Sequence, residues 1–397
     1  MGCRTCVTSN WAATPTADVR ALPGVRYYLA RAGDLSRLVA PPYDVISDSD
    51  LEHYRSLSPY NVVHLTRPGT DYQGAARTFE RWLDDRILEP DARSMYVHEV
   101  EFDGRVRRDL IAALRLQPYS DRVVLPHERT HRGPKEDRLA LLRATRVGLE
   151  PLWFLYEGGS TGLPALLEGV AARAPAATFE GAEGTGHRLW VISDPAIHST
   201  VHSVLEDLPV LIADGHHRYE TALAYAEEVG AGPDDASRFT LALLTDMADP
   251  GLVVLPTHRV MKTGIAVTGG EPKGNLEETL AALSGRVAAG TYRDHRYQVL
   301  PLEGEVAVVE LHEQVIDNLL GKRQPEGYLL YTRDAAEAAR WVDEGLGTAA
   351  FFLGAPQLQQ VLRLAQEGKT LPQKATYFHP KPPSGMVFDR LERDRRL

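Results

Sequence analysis

The segment Asp214-Gly215-His216-His217-Arg218 is the part of the sequence whose residue types and spacing most clearly indicate chemistry. It follows an apolar run and precedes a helical pattern. A turn between a strand and a helix needs the glycine and at most one capping carboxylate, but this one also carries two imidazoles and a guanidinium. Because the free N–H groups and the positive dipole end of a helix's first turn attract anions, we expect the turn to bind an anion.

A second reactive segment begins at Pro126 and leads into a charged stretch. From His127 to His131 it matches H-E-x-x-H, in which two histidines one helical turn apart bind zinc and the glutamate, here Glu128, activates water. Glu150 is a candidate third ligand. The flanks argue against a zinc site, since Pro126 on one side and a Gly-Pro pair on the other leave room for barely two helical turns. A zinc-dependent hydrolase stays an alternative.

Glu128 also suits a different chemistry if it stands alone at the end of a strand. A carboxylate accepts a hydroxyl proton when it is held within hydrogen-bond reach of that proton. If the 214–218 turn holds a phosphate donor, the pair supports phosphoryl transfer to an alcohol, provided that the chain folds Glu128 back toward the turn. The same glutamate is equally well explained as one more solvated charge in a charged stretch.

Together, Pro126-His127-Glu128 and the 214–218 turn resemble motifs of the ParB/sulfiredoxin-like superfamily, and most of all those of its free-serine kinases. In those enzymes the Asp-Gly-His-His-Arg motif grips nucleotide phosphates, and the glutamate of Pro-His-Glu acts as base on the serine hydroxyl. The compact kinases hold the two motifs close together in sequence. Here an insertion, with a predicted strand over 152–156 and a predicted helix over 163–173, separates them.

The resemblance implies a role for each matching residue. Glu128, Asp214 and His216 are the implied catalytic residues, with Glu128 as the base. All five residues of the turn are implied to bind the nucleotide. Gly215 lets the backbone approach the phosphate, and Arg218 neutralises the transferred charge. The implied cofactors are ATP or ADP and Mg²⁺, and Asp214 either orients a histidine or reaches the magnesium ion through water.

The whole chain also resembles an uncharacterised bacterial family, the domain of unknown function 1015 (DUF1015), from about residue 20 to residue 390. Its landmarks in this sequence are residues 40–44, 127–142, 213–222, 255–259 and 372–378.

Further candidates for substrate binding come from composition and position alone. They are polar residues in the charged stretch, just past a strand end, in a Pro-punctuated polar segment, or beside a Pro-Pro pair. These residues are His127, Arg129, His131, Arg132, Lys135, Arg138, His258, Arg259, Lys374, Thr376, Tyr377, Tyr43 and Asp44.

The resulting functional hypothesis is a nucleotide-dependent kinase for the hydroxyl of a small amino-acid-like metabolite. Free L-serine is the leading acceptor, and the donor is either ATP or ADP. A non-catalytic, nucleotide-binding ParB-like module is the second hypothesis, and the zinc hydrolase is the third.

The composition restricts the partners. The chain has 397 residues and a formal net charge of −10, so a nucleic-acid partner is not expected. No run of about 18 apolar residues predicts a membrane span, and the N-terminus does not look like a secretory signal. Cys3 and Cys6 form a lone Cys-x-x-Cys pair without a second pair, which favours an incidental role. We therefore expect a cytoplasmic protein, and its oligomeric state is open.

Strands and helices both abound without strict alternation, which predicts an α+β or mixed α/β fold. The resemblance adds a ParB/sulfiredoxin-like core with large insertions. We predict an irregular segment over 1–25, the nucleotide-binding core over 26–268 and a C-terminal α/β region over 275–397, with a loop near residue 270.

Several elements are predicted from local pattern. Alternating residues on both sides of Asp-Gly predict a β-hairpin over 94–116. Further strands are expected over 60–65, 209–213 and 306–311, and a helix is expected over 219–229.

Overall fold

The computed structural model of the chain describes residues 16–128, 132–263, 269–321, 325–392 and 395–397. The chain divides into two compact units. The first comprises Met1–Leu125, His131–Gly251 and Lys381–Leu397, and the second comprises Pro126–Thr130 and Leu252–Pro380. Sheets and helices occur in both units, so the fold is mixed α/β, as predicted.

The first unit contains twelve strands that precede residue 252 in the described part of the chain. They are β1 Val19–Arg20, β2 Val25–Tyr27, β3 Leu88–Pro90, β4 Met95–Phe102, β5 Arg105–Arg115, β6 Val124–Leu125, β7 Val147–Gly148, β8 Leu152–Tyr156, β9 Ala177–Glu180, β10 Gly186–Ile192, β11 Val210–Asp214 and β12 Phe239–Asp246.

The helices of the first unit lie between these strands. They are α1 Leu29–Ala32, α2 Asp48–Leu57, α3 Val63–Thr66, α4 Tyr72–Asp84, α5 Arg132–Thr145, α6 Leu163–Ala171, α7 Pro195–Leu205 and α8 His216–Glu228.

A nine-stranded sheet organises the first unit, in the order β6-β11-β8-β12-β5-β4-β10-β9, with β1 added beside β5. Two pairs, β6 with β11 and β8 with β12, are parallel, and the other pairs are antiparallel. The predicted hairpin is present as β4 and β5. Its turn residues Asp103 and Gly104 both have positive φ, 47° and 69°, as a two-residue Asp-Gly turn requires.

Apolar side chains of the sheet pack against α6, α7 and α8 to form the core of the first unit. All eight residues of β12 are buried, as expected for a central strand with both faces covered. Burial of apolar surface contributes about 25 cal/mol per Å², and this contribution is the main stabilisation of β11 and α8 in their positions.

A chain of hydrogen bonds crosses the buried sheet of the first unit. Asp109 Oδ2 accepts from His98 Nδ1 at 2.8 Å, and His98 Nε2 lies 2.9 Å from Nδ1 of His187. His187 Nε2 in turn lies 2.8 Å from the Thr185 hydroxyl. Burial opposes ionisation of Asp109, but the charge of Arg107 and the hydrogen bonds from His98 and Arg107 together outweigh it and hold the pKa of Asp109 at about 2. Burial lowers the pKa of His187 to about 2, so this imidazole is neutral.

The second unit has its own sheet and helices. Its strands are β13 Val253–Leu255, β14 His258–Met261, β15 Glu271–Lys273, β16 Ala288–Arg293, β17 Arg296–Pro301, β18 Leu329–Thr332, β19 Ala349–Phe352 and β20 Tyr377–His379. Its helices are α9 Leu276–Ala281, α10 Ala307–Leu311, α11 Asp317–Leu320, α12 Ala335–Asp343 and α13 Leu358–Gln366. After it the chain returns to the first unit, where β21 Asp389–Arg390 pairs with β7.

Six strands of the second unit form one sheet in the order β15-β17-β16-β19-β14-β18. β14 is antiparallel to both of its neighbours, β18 and β19. The carboxyl ends of β18 and β19 therefore lie at the same edge as the amino end of β14. Strands β13 and β20 form a separate antiparallel pair.

Two predicted strands are wrong. Residues 60–65 do not form a strand, and Val63–Thr66 is a short helix instead. Asn61 explains the difference, because its Oδ1 accepts from the N–H of Val63 at 3.1 Å and so starts a local turn that competes with an extended backbone.

The predicted strand over 306–311 is also a helix, Ala307–Leu311. Its buried residues Val308 and Leu311 are three apart, which places them on one helical face rather than on one face of a strand. Two short strands lie where irregular chain is predicted, Val19–Arg20 and, near residue 270, Glu271–Lys273. No helix in the described part of the chain is long and apolar enough to cross a membrane.

Candidate functional site

The 214–218 turn has the predicted strand, turn and helix arrangement. β11 ends at Asp214, Gly215 has a φ of 100° and a ψ of 27°, and α8 begins at His216. Any other residue at position 215 would be strained at this positive φ, and its Cβ would also lie 3.2 Å from Nη2 of Arg218. The first turn of α8 carries backbone N–H groups without partners inside the helix. Its geometry is therefore that of an anion site.

The side chain of Arg218 is only 10% exposed and is held from several sides within the first unit. Its Nη2 donates to Oδ2 of Asp214 at 2.7 Å, and its Nη1 donates to the carbonyl of Pro151 at 3.0 Å. Nη1 also lies 3.8 Å from a carboxylate oxygen of Glu150. Burial alone would lower the pKa of Arg218, but the charges of Glu150 and Asp214 raise it above its usual value. The guanidinium is a permanent cation with a fixed position.

Lys381 supplies a second cation to the turn. Its Nζ lies 2.5 Å from Oδ1 of Asp214 and 3.3 Å from Oδ2 of Asp44. Two carboxylates thus lie against one ammonium group, and the lysine side chain is only 12% exposed. The acid of the turn is neutralised from both sides, by Arg218 and by Lys381.

Glu150 connects the turn to the Pro-Pro-Tyr-Asp segment. Its Oε1 accepts from the hydroxyl of Ser384 at 2.8 Å and from the backbone N–H of Tyr43 at 3.0 Å. Arg138 covers the ring of Tyr43, with its guanidinium carbon 4.2 Å from the ring centroid. Burial raises the pKa of Tyr43 to about 12, so its hydroxyl stays protonated.

The two histidines of the turn differ in exposure. His216 is buried and His217 is half-buried, and the carbonyl of His217 accepts from the Thr221 hydroxyl at 2.7 Å. Nearby, Lys135 forms an ion pair with Glu220 of α8. Lys135 and Arg138, two of the weaker candidates, therefore have partners within the first unit.

Glu128 belongs to the second unit, where the chain from Leu371 to Thr376 holds it. The residue forms a parallel bridge with Leu371. Its Oε1 accepts from the backbone N–H groups of Ala375 at 3.1 Å and Thr376 at 3.4 Å. His127 Nε2 lies 2.8 Å from the Thr376 hydroxyl. Because two backbone amides hold its Oε1, Glu128 is more than a solvated surface charge.

Arg259 supports the segment that holds Glu128. Its guanidinium donates to the carbonyls of Thr257, Gln373 and Lys374, with Nη2 3.1 Å from the Lys374 oxygen. The side chain is fully buried, and burial lowers the pKa of Arg259 to about 10. Within the second unit, the structure thus brings together four predicted residues. They are His127, Glu128, Arg259 and Thr376.

The second unit contains three other candidates. Lys374 is exposed, with a φ of 56°. The guanidinium carbon of Arg333 lies 5.4 Å from the centroid of the Tyr377 ring. His258 is buried at the start of β14, where its Nδ1 accepts from the N–H of Leu353 at 3.2 Å.

The zinc hypothesis does not fit the described backbone. His127 and Glu128 are not helical, and the next helix begins at Arg132, so the motif does not form the helix on which a zinc protease depends. His131 and Arg129 lie outside the described residues, as does the side chain of Arg132. Among the described residues, no group of three or more His, Cys, Asp or Glu side chains is arranged to hold a metal.

Sequence reasoning missed the contributions of Lys381 and Ser384 to the turn and gave Glu150 a different role. Tyr43 and Asp44, which it proposed weakly, lie beside the turn. Glu128 and the turn belong to different units, so their predicted pairing stays a prediction.

Comparisons with known proteins identify a family. The model of a family described as "Protein of unknown function (DUF1015)" matches residues 19–340. Among curated proteins, none matches the chain.

The chain is weakly similar to several solved structures. A free serine kinase in complex with AMP is 15% identical over 68% of this chain and 88% of its own, with a TM-score of 0.39. SbnI with a C-terminal truncation, from Staphylococcus aureus, is 12% identical over 72% of this chain and 90% of its own, with a TM-score of 0.37. A conserved hypothetical protein from Pyrococcus furiosus is 16% identical over 67% of this chain and 90% of its own, also with a TM-score of 0.37. At these values the likeness says nothing about chemistry.

Proposed function

We propose that this chain, which belongs to the DUF1015 family, is a nucleotide-dependent kinase. Its acceptor is the hydroxyl of a small amino-acid-like metabolite. Free L-serine is the leading acceptor, and ATP or ADP is the donor. The observation that carries the proposal is the 214–218 turn, in which Gly215 at positive φ opens a 13-residue helix beside two fixed cations.

The turn supports the phosphate-binding half of the reaction. Backbone N–H groups at the start of α8 and the positive end of the helix dipole favour a phosphate there. The absence of a side chain at Gly215 lets the Arg218 guanidinium lie close to the backbone of the turn, where a Cβ would come within 3.2 Å of its Nη2. His216 and His217 follow directly and add two imidazoles to the same helical turn.

Arg218 and Lys381 support the same half through charge. Both cations contact Asp214, and neither is more than 12% exposed. Fixed cations in a partly buried site stabilise the charge that develops on a transferred phosphoryl group, and they need little reorganisation at the moment of reaction. We assign Arg218 and Lys381 this role.

Glu128 supports the acceptor half. In the proposed step, the acceptor hydroxyl oxygen attacks the terminal phosphorus of the nucleotide and forms a P–O bond. The bond from that phosphorus to the leaving ADP, or AMP if ADP is the donor, breaks. The hydroxyl proton moves to the carboxylate of Glu128. The proposal therefore requires this carboxylate to reach the acceptor during turnover.

The carboxylates at the turn do not fit magnesium as they stand. Mg²⁺ is commonly bound through one or two carboxylates together with substrate phosphates. Oδ1 of Asp214 contacts the Lys381 ammonium, Oδ2 of Asp214 contacts the Arg218 guanidinium, and Asp44 contacts the same ammonium. We therefore assign the neutralisation of phosphate charge to Arg218 and Lys381, and Mg²⁺ stays a prediction from the resemblance.

The choice of serine rests on the resemblance of the Pro-His-Glu and Asp-Gly-His-His-Arg motifs to those of free-serine kinases. A panel of acceptors tests it directly. The full chain is incubated with Mg²⁺, with ATP or ADP, and with L-serine, L-threonine or L-homoserine, and phosphorylated amino acid is detected by mass spectrometry. We expect O-phosphoserine with at least one of the two nucleotides.

The variant Glu128→Gln separates the base from the phosphate site. We expect kcat to fall by about 10²-fold or more while the nucleotide dissociation constant stays within a factor of two or three. Glu136→Gln, at an exposed position of α5, is the matched control and should change neither. Tight nucleotide binding without transfer to any acceptor would favour the non-catalytic module and overturn the kinase.

A further inference from the structure

A cavity of about 990 Å³ lies in the second unit, and its lining includes none of the residues assigned to phosphoryl transfer. This volume is at the upper end of the range of small-molecule sites. All of its lining residues belong to the second unit, and they include none of the residues that hold Glu128.

The cavity lies at a sheet edge where ligand sites are common. Leu353 to Gln357 follow the carboxyl end of β19, and Arg333 and Asp334 follow that of β18. Between them, β14 begins with His258. Open sheets bind ligands outside the carboxyl ends of strands, where the connections to the following helices diverge.

His258 offers a hydrogen-bond donor to this cavity. The side chain is 2% exposed and lines the cavity. Its Nδ1 accepts from the N–H of Leu353, so in the neutral ring the proton is on Nε2. Nε2 has no partner among the described residues. Burial lowers the pKa of His258 to about 4, which keeps the ring neutral and the Nε2–H donor in place.

The amino end of α13 adds further donors. This nine-residue helix begins after Gln357, whose side chain makes no capping hydrogen bond. The backbone N–H groups of Gly354, Ala355 and Gln357 likewise donate to no acceptor in the described part of the chain. By contrast, α12 at the same edge is capped, because Asp334 accepts from the N–H of Ala336 at 2.8 Å. The vacant donors are therefore concentrated beside β19 and α13.

The charged residues of the lining cancel one another. The lining contains two cations, Arg286 and Arg333, and two acids, Glu305 and Asp334. Arg286 is paired with Glu271, and Glu305 is paired with Arg363. The electrostatic preference for a negative head group therefore comes from the helix dipole and the donors at His258 and α13.

Most of the remaining wall is apolar. It includes two leucines of α9 and a third just beyond it, the last residue of β13, the residue before α10 and the residue after β19. These residues are Leu255, Leu276, Leu280, Leu283, Val306 and Leu353. An apolar ligand body in contact with this wall would be stabilised by about 25 cal/mol for each Å² of apolar surface that it buries.

From these observations we propose that the second unit binds a small amphipathic anion, whose carboxylate or phosphate head meets His258 and the start of α13 and whose apolar body contacts the leucines of α9. This site is independent of the proposed phosphoryl transfer. Its failure would leave the kinase proposal untouched, and the reverse also holds.

Calorimetric titration of the full chain tests the site with four probes. Octanoate and octyl phosphate carry the two candidate head groups, octanol carries the body alone, and inorganic phosphate carries a head alone. We expect at least one of the two amphipathic anions to bind, at least tenfold more tightly than octanol. Which of the two binds more tightly distinguishes carboxylate from phosphate recognition. Absence of binding by both anions at millimolar concentration, or equal affinity for octanol, would overturn the proposal.

Two variants locate the binding. Ala336 is exposed and lines the cavity, so Ala336→Trp should narrow its mouth and weaken the anion at least tenfold. Ala281→Trp, at an exposed position of α9 outside the lining, should have no effect. His258→Asn keeps an acceptor for the Leu353 N–H and removes the Nε2 donor, so it should bring the affinity for the anion down to that for octanol. Unchanged binding in Ala336→Trp would place the anion elsewhere and overturn the proposal, whatever the stability of the His258 variant.

Discussion

The ammonium of Lys381 lies 2.5 Å from Oδ1 of Asp214, although the two residues are far apart in the sequence. An acid at the first position of a phosphate-binding turn repels its ligand unless cations neutralise it. Arg218 neutralises Asp214 from within α8, and Lys381 does so from the C-terminal part of the first unit. The balance of charge at the turn therefore depends on a residue that the turn motif does not contain.

Lys381→Met tests this balance. Removing the ammonium leaves Asp214 and Asp44 close together and next to the proposed phosphate, so we expect nucleotide affinity to fall about tenfold or more, or about 1.4 kcal/mol. Titration calorimetry with ATP and ADP measures the loss. Lys381→Arg should retain most of the affinity, and Lys369→Met, at an exposed ion pair with Glu367, is the control. Unchanged affinity in Lys381→Met would remove Lys381 from the site.

The buried contacts of Asp214 make a prediction about stability. Asp214→Asn takes one charge from a cluster in which Arg218 is 10% exposed and Lys381 is 12% exposed, leaving cations without a full partner. We expect a loss of about 3 kcal/mol in the free energy of unfolding, measured by urea denaturation.

Asp48→Asn is the matched control for this prediction. Asp48 pairs with Arg67 at 2.9 Å, but its own side chain is 98% exposed. An exposed ion pair contributes at most about 1 kcal/mol, so its loss should be small. Equal losses in the two variants would show that Asp214 is not a structural anchor of the turn.

Arg259 is a positioning residue for Glu128. It bridges three backbone carbonyls around the segment whose Ala375 and Thr376 amides hold the carboxylate. Arg259→Lys keeps a cation but cannot form this fork, so the segment should loosen. We expect faster hydrogen exchange at Ala375 and Thr376. If Glu128 is the base, kcat should fall at least tenfold with unchanged nucleotide affinity.

Arg340→Lys is the control for this prediction, because Arg340 is an exposed residue of α12 and pairs with Glu337 at the surface. It should leave exchange at Ala375 and Thr376 unchanged. Equal nucleotide and kcat losses in Arg259→Lys would instead indicate general destabilisation of the protein.

The turn could be predicted from the sequence because its signals are local. An apolar run, a glycine and a helical pattern lie within a few residues, and the structure has β11, Gly215 and α8 there. The hairpin of β4 and β5 was predictable for the same reason, since the Asp-Gly turn sets its own geometry.

The surroundings of the turn could not be predicted in this way. Glu150, Lys381 and Ser384 reach it through the fold, and nothing in their own neighbourhoods indicates the contact. The apolar runs near residues 60 and 306 were wrongly predicted to be strands for a related reason. Short stretches of Val and Leu suit either a strand or a buried helix, and tertiary contacts decide between them.

Buried histidines predict that the protein loses stability as the pH falls below neutral. Burial lowers the pKa of His187 to about 2, that of His258 to about 4 and that of His312 to about 3. In the unfolded chain each histidine binds a proton below about pH 6.5, whereas in the folded chain all three stay neutral. Below about pH 6.5 the unfolded state therefore binds more protons than the folded state. The free energy of unfolding is highest above pH 6.5 and decreases as the pH falls from 6.5 toward 4.

Urea unfolding at pH 7.5 and pH 5.5 measures this effect. Each neutral histidine contributes a slope of up to about 1.4 kcal/mol per pH unit below its unfolded pKa. Asp389, whose pKa burial raises to about 6, and Asp249, whose pKa burial also raises, act in the opposite direction, but they are two groups against three. His187→Gln should reduce the difference between the two pH values by about one histidine's share, and His53→Gln, at an exposed position, should not. A stability that rises from pH 7.5 to pH 5.5 would contradict the neutral, buried state of these imidazoles.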